Sequence, residues 1–308
     1  MTNYKTLIPK LIARNDPYAL TDAFGVCREL EQENAVHVEG TGRRDYGTTV
    51  YDKDNFAHAH EFSKEIRSAA MELLRANNAP DMMLDLYYKT HLFDAPHNFD
   101  SFCVYIEKDR APEKQFYVPR RKQLKPCADA LQDLEDGKIE LLGISEPPGV
   151  GKTTLAEFFL AWTCGRNPFL PNLIGSHNNS FLGGMYGEML RILDPMGEYK
   201  WSDVFPGLSV IATNAKDLMI GLGYEKSDDQ RFKTLQLGGS LGSQLAGRVR
   251  ASNWLYLDDP VSGIEEAMNR EQMDKLWNTV ATDFFQRAIG NRVKRLVIGT
   301  RWSLVDPL

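Results

Sequence analysis

The chain has 308 residues, 43% hydrophobic and 25% charged, with a formal net charge of −6. That length buries one large core or two unequal ones. The acidic balance excludes a globally basic nucleic-acid coat and confines any DNA contact to local patches. No apolar run approaches membrane-spanning length, so no membrane partner is expected, and the opening MTNYKTLIPKLIARND is too polar for a secretory signal. Four scattered cysteines (Cys27, Cys103, Cys127, Cys164) without a C-x-x-C pair point to a reduced, intracellular compartment and away from structural zinc.

Residues 1–107 carry no nucleotide motif and read as a mainly helical N-terminal region. Helical spacing appears over residues 18–30 and more strongly over 62–74, whereas GTGRRDYGTT at 40–49 reads as a loop. His58 and His60, in HAHEF, form a close pair that reads as a solvated helix-surface pair in preference to half of a metal site. Residues 108–138 read as a polar, basic connector followed by a short helix, 128–134, ending near Gly137. Within the connector, KDRAPEKQFYVPRRKQLK sets Arg120, Arg121 and Lys122 beside Phe116 and Tyr117, either a DNA patch or an ordinary exposed loop.

From residue 139 the pattern alternates. Strands are predicted at 139–145, 172–176, 234–237, 254–257 and 294–300, and helices at 152–164, 181–193 and 264–288. The last helix is predicted from apolar residues at Ile264, Met268, Met273, Leu276, Trp277, Val280, Phe284 and Ala288, the spacing of one buried face. Such alternation predicts an α/β domain over 108–308, with a mainly parallel central sheet flanked by helices and ligands beyond the carboxyl ends of its strands.

The most informative stretch is IELLGISEPPGVGKTTL, residues 139–155. An apolar strand runs into a Gly/Pro turn and then a helix. This order fits a triphosphate: backbone N–H groups of Pro148-Gly149-Val150-Gly151 and the helix start face the phosphates (proline contributing none), Lys152 adds charge, and the Thr153 hydroxyl, next to Thr154, reaches Mg²⁺. The pattern G-x-x-x-x-G-K-[ST] departs once, with Glu146 in the first glycine position. Downstream, WLYLDD ends a buried strand in Asp258, suited to hold Mg²⁺, and Asp259, suited to activate or orient water. A third strand, VIGTRW, ends in Thr300, in position to touch a γ-phosphate or the attacking water. The guanine-reading N-K-x-D is missing, since Asn214-Ala215-Lys216-Asp217 has the letters in another order, which favours ATP over GTP. A small-molecule kinase would carry a basic lid in place of the DDP and GTRW elements.

The series PPGVGKTT, then GSLGSQLAGRVRASNWLYLDDPVSGIEEA, then VIGTRWSLVDP resembles the P-loop ATPase half of a tailed-bacteriophage terminase large subunit, over about residues 97–308. The resemblance implies ATP hydrolysis that drives double-stranded DNA into a procapsid, with ATP and Mg²⁺ bound. Its implied partners are the capsid portal, the small terminase subunit and further copies of the chain in a ring, a monomer being the state in isolation. Its implied setting is the cytoplasm of an infected bacterial host. By the same resemblance, FYVPRRKQL supplies adenine contacts through Gln123, with Arg121 beside it, and Arg248 in AGRVR is an arginine offered to a neighbouring subunit's nucleotide. Many relatives carry an arginine inside the phosphate loop where this chain has Gly149, and the hydrolytic carboxylate is commonly Glu, which leaves Glu265 and Glu266 as alternatives to Asp259. The family's C-terminal nuclease would lie beyond Leu308, so the chain reads as the ATPase half alone. Two other readings stay open: a helicase-like or clamp-loader-like ATPase, and a low-turnover nucleotide switch.

Overall fold

A computed structural model describes residues 4–41, 44–238, 249–290 and 293–302. It divides into two compact units, Met1–Lys108 and Asp109–Leu308.

The first unit holds five helices, α1 (Tyr4–Ile12), α2 (Pro17–Gln32), α3 (Lys53–Arg75), α4 (Pro80–Asp94) and α5 (Phe99–Ile106), and an antiparallel pair, β1 (Val36–Val38) with β2 (Thr48–Val50). Caps set the helix starts: Asp16 accepts from the Ala19 N–H, with Pro17 opening α2, and Asp52 accepts from the Asp54 and Asn55 N–H groups at the head of α3. The buried faces of α2, α3 and α4 meet through Leu20, Phe24, Ile66 and Met83. Part of the stretch read as a loop at 40–49 is strand, because Thr48 and Thr49 pair with Val38 and His37. His58 is half-buried and bonds the Asp54 carbonyl within its own helix. His60, expected on the surface, lies inside: Nδ1 meets Asp94 Oδ1 at 2.6 Å and Nε2 meets Glu31 Oε1 at 3.1 Å. Burial pushes its pKa down, but the bonds to Asp94 and Glu31 outweigh burial and raise it.

The second unit is an α/β layer structure built on a seven-stranded mixed sheet. Its strands are β3 (Leu141–Ser145), β4 (Asn172–Ser176), β5 (Ser209–Asn214), β6 (Met219–Gly223), β7 (Leu235–Leu237), β8 (Trp254–Asp258) and β9 (Lys294–Gly299), in the order β3-β9-β8-β4-β7-β6-β5. The run from β3 to β7 is parallel, whereas β6 is antiparallel to both β7 and β5. The helices are α6 (Tyr117–Glu135), α7 (Lys152–Arg166), α8 (Asn179–Leu193), α9 (Trp201–Val204), α10 (Ile264–Ala267) and α11 (Arg270–Thr279).

Strand alternation sorts the two faces of β8. Trp254 and Tyr256 share one face, where the Trp254 ring meets Phe159 of α7 edge-on at 4.9 Å. Leu255 and Leu257 share the other, packed with Val280, Phe284 and Val297. α7 is buried along most of its length, and Trp201 Nε1 donates to its Ala161 carbonyl at 2.8 Å. Two expectations change here. The basic connector is helix: α6 runs from Tyr117 through Pro126, its apolar positions Leu124, Ala128, Leu131 and Leu134 all buried. The single helix expected over 264–288 is broken, because Asn269 ends α10 and caps α11 by accepting from Gln272 N–H, after which the chain tightens into a π turn (Val280–Phe284) and a 3-10 turn (Phe285–Arg287). Ile264, Met268 and Trp277 are consequently exposed, and the buried face consists of Ala267, Met273, Val280 and Phe284.

Candidate active site at the carboxyl edge of the sheet

Register alone gathers the site. Ser145 of β3 pairs with Gly299 of β9, Asp258 of β8 with Ile298, and Ser176 of β4 with Asp258. The residues that follow these strand ends, in the β3–α7 loop and at Thr300, Asp259 and His177, therefore meet along one edge. They rim a cleft of about 540 Å³ lined by Pro148, Gly149, Gly151, Lys152, Thr153, His177, Asp259 and Thr300, with Val261, Ser262 and Trp302 beside them.

In the β3–α7 loop, Gly149 (φ 83°) and Gly151 (φ 99°) take the left-handed backbone region. Gly151 also needs its missing side chain, because a Cβ there would lie 2.3 Å from the Phe116 ring. Glu146, in the position where a glycine was expected, is not among the residues with positive φ. It leans toward α6, where the Cys127 thiol approaches its Oε1 at 3.9 Å; burial and Glu146 together raise the Cys127 pKa. No side chain caps the head of α7, which leaves its first amides directed at the cleft edge.

Lys152 is 8% exposed and donates from Nζ to Thr300 Oγ1 at 2.9 Å. Among the described residues no carboxylate lies within ion-pair distance of it. Asp258 is the converse, a fully buried carboxyl whose two oxygens lack a hydrogen bond of good geometry. It shares the Tyr256 face of β8 and so points toward α7. Burial and the neighbouring Asp259 raise its pKa to about 7, against the opposing pull of the Tyr256 and Thr153 hydroxyls and of Lys152. A buried lysine without a carboxylate at ion-pair distance thus sits near a buried carboxyl, about half-protonated at pH 7, that its weak attraction to Lys152 does not satisfy. Among the described residues no cluster of three or more His, Cys, Asp or Glu side chains could hold a metal. A divalent ion here would depend on oxygens brought by a ligand, as Mg²⁺ commonly does.

Asp259 has φ 39°, unusual for a residue other than glycine. Its N–H donates to Ile298 O at 2.8 Å and its Oδ1 accepts from Thr300 N–H at 3.1 Å. Its carbonyl accepts from His177 Nδ1 at 2.5 Å. The alternative acids lie elsewhere: Glu266 Oε2 is held by the Ser262 N–H and hydroxyl at 2.7 and 2.6 Å, and Glu265 is exposed outside the cleft lining.

Of the other expected residues, Val150 and Thr154 belong to the loop and helix start but not to the cleft lining. Arg121 and Gln123 do not line it either; Gln123 joins Pro119, Arg120 and Lys122 around a separate groove of about 410 Å³. Arg248 lies outside the described residues. Part of the basic stretch is paired, Arg110 and Lys114 with Glu198 and Lys125 with Asp129, while Arg120 and Lys122 have no carboxylate partner among the described residues.

Two residues at the site escaped the sequence reading. His177 has no motif, and only the Ser176–Asp258 register reveals its neighbour. Glu157, one turn beyond Thr153 on α7, is 8% exposed; burial, with Glu188 and Asp258 nearby, raises its pKa to about 8, so it is largely neutral at pH 7. A carboxylate inside an otherwise apolar helix run, FFLAW directly after it, was the signal available.

No protein-family model and no curated protein matches this chain.

Proposed function

We propose that the second unit is a P-loop ATPase and that the chain is the motor half of a terminase large subunit, hydrolysing ATP to drive double-stranded DNA into a procapsid. The observation that carries the nucleotide reading is a buried Lys152 with no carboxylate at ion-pair distance among the described residues, near a buried Asp258 whose oxygens have no hydrogen bond of good geometry. An isolated buried charge is costly, so the pair favours a ligand that is both anionic and metal-bearing. ATP·Mg²⁺ meets both needs: its phosphates take the α7 amides and Lys152, and Asp258 with Thr153 would hold Mg²⁺, which supplies charge neutralisation. Asp259, with Oδ1 tied to the Thr300 N–H, keeps its second oxygen for the attacking water. Thr300 directly follows β9, the strand between the loop strand and the acid strand, so it touches Lys152 through its hydroxyl and Asp259 through its amide. Support for DNA packaging over other nucleic-acid ATPases comes from the order of the three motifs and the DDP and GTRW strand ends. DNA contact by Arg120 and Lys122, adenine contact by Gln123, portal and small-subunit partners, a homo-oligomeric ring and a host-cytoplasmic setting belong to the same proposal. Among the described residues no helix is long and apolar enough to cross a membrane.

The test is titration of the chain with a fluorescent ATP analogue with and without Mg²⁺, together with phosphate release. Lys152→Ala is expected to abolish turnover and weaken binding strongly; binding that survives unchanged refutes the site. Stimulation of turnover by portal, beyond that by bare DNA, separates the packaging reading from a helicase-like one. Tight binding with no turnover in either setting would leave the nucleotide switch.

A further inference from the structure

The Asp259 backbone is held in an unfavourable conformation, and that conformation sets where its carboxylate points. φ is 39°, and Pro260 further narrows the conformations open to the residue before it. Such geometry persists only where several contacts fix it. Two of the three contacts come from the β9 side, the Ile298 carbonyl and the Thr300 N–H. The third comes from the opposite neighbour, β4, through the His177 ring. A carbonyl can only accept, so His177 Nδ1 carries the proton, and in the neutral ring Nε2 is left as the acceptor. Remove that donor and Asp259 is anchored from the β9 side only, through its N–H and Oδ1, with its carbonyl facing a part-buried edge unpaired. His177 is followed directly by Asn178, whose Oδ1 accepts from the Ser180 N–H at 2.8 Å and caps α8. The ring thus links the head of α8 to the water-directing acid.

We propose that His177 is a positioning residue for hydrolysis: by clamping the Asp259 carbonyl it holds the Asp259 carboxylate in line with the attacking water and ties that alignment to the β4–α8 turn. This rests on the hydrolytic reading of the cleft. It assigns His177 no contact with nucleotide, and the expected signature is therefore a loss in kcat with nucleotide affinity preserved.

The experiment compares wild type, His177→Ala and His177→Asn in the full chain, by phosphate release, fluorescent ATP·Mg²⁺ affinity and melting temperature. In Asn the side-chain amide nitrogen stands in for Nδ1, so the donor is kept while the ring is lost. His177→Ala is expected to lower kcat about 10–100-fold, the scale of a small misplacement of a reacting group, with affinity within about twofold, and His177→Asn is expected to recover most of the rate. A His177→Ala chain with wild-type kcat overturns the inference. So does a loss of rate accompanied by equal loss of affinity and melting temperature that Asn fails to rescue, which marks a merely structural role. A wild-type chain that binds nucleotide but never turns it over overturns the hydrolytic reading itself, an outcome distinct from either.

Discussion

A buried carboxyl without a proper hydrogen bond destabilises the fold that contains it, because its ionised form has lost water and gained little in return. Asp258 is such a group, with a pKa moved from 3.8 to about 7. Between those two values the native state holds a proton that the unfolded chain has released, so stability falls as pH rises through that window and levels off above it. Asp258→Asn removes this dependence. The ligand-free variant is expected to melt above wild type at pH 8 and to match it near pH 4, where both carry a neutral side chain. One pKa unit is about 1.4 kcal/mol, and the buried amide costs some of that gain, so a rise of a few degrees is expected. The same variant should lose the Mg²⁺-dependent part of nucleotide affinity. Calorimetry at the two pH values, set beside titration with and without Mg²⁺, checks both halves; a variant less stable than wild type at pH 8 would mean that Asp258 has a stabilising partner. On the proposed reading, the buried Lys152 and Asp258 mark an edge where stability has been given up for a ligand.

At the scale of elements, the β3–α7 loop separates two roles of glycine that one motif hides. Gly149 and Gly151 both have positive φ, but a Cβ at Gly149 meets nothing within 4 Å, whereas one at Gly151 enters the Phe116 ring. Gly149→Ala is expected to cost about 1 kcal/mol of backbone strain and to keep most nucleotide affinity. Gly151→Ala must also displace Phe116 from the head of α6, and is expected to reduce affinity at least tenfold more; equal effects from the two variants would show that the ring gives way freely. The loop strand, the acid strand and the helix after the loop were legible in the sequence because they are apolar runs bounded by Gly, Pro or paired acids. β5 and β6 were not legible: SVIATN ends in polar Thr213 and Asn214, and in MIGLG Gly221 and Gly223 dilute the alternation that marks a strand. The first half of α6 was hidden by polarity, its surface turns dominated by Arg, Lys and Gln, whereas its last turns, 128–134, were read as helix. The interrupted helix after residue 264 misled for the opposite reason, since regular apolar spacing continues across a chain break in helicity at Asn269. His177 shows the limit of motif reading: its role depends on strand register, which no local pattern specifies.

At the scale of the molecule, the proposed ATPase reading meets a shortage of charge, because the cleft as described does not balance what phosphoryl transfer would develop. Among the described residues that line it, Lys152 is the one permanent cation, and no arginine is present. In P-loop enzymes an arginine supplied by a neighbour contributes about 10³–10⁵ in rate. Within this chain the Arg250 carbonyl accepts from Gln236 Nε2 and its side chain is absent from the cleft lining, and Arg301 is exposed outside that lining. Arg248, in the Gly/Ser-rich stretch GGSLGSQLAGRVR, lies outside the described residues and remains the sequence's candidate for a residue acting in trans. If the ATPase proposal holds, the isolated monomer should turn ATP over very slowly, and specific activity should rise with assembly. Arg248→Ala chains keep their own phosphate-binding loop but fail their neighbour; Lys152→Ala chains lack the loop cation but can still serve a neighbour. Each homogeneous ring is expected to be inactive. A mixed ring places some intact Lys152 sites against intact Arg248 donors, so turnover should reappear and peak near equal proportions. Measuring phosphate release across mixing ratios in rings assembled on portal makes the decision. An Arg248→Ala ring that hydrolyses ATP at the wild-type rate assigns the compensating charge to another residue, and Arg250→Ala and Arg301→Ala would then be examined in the same mixing series.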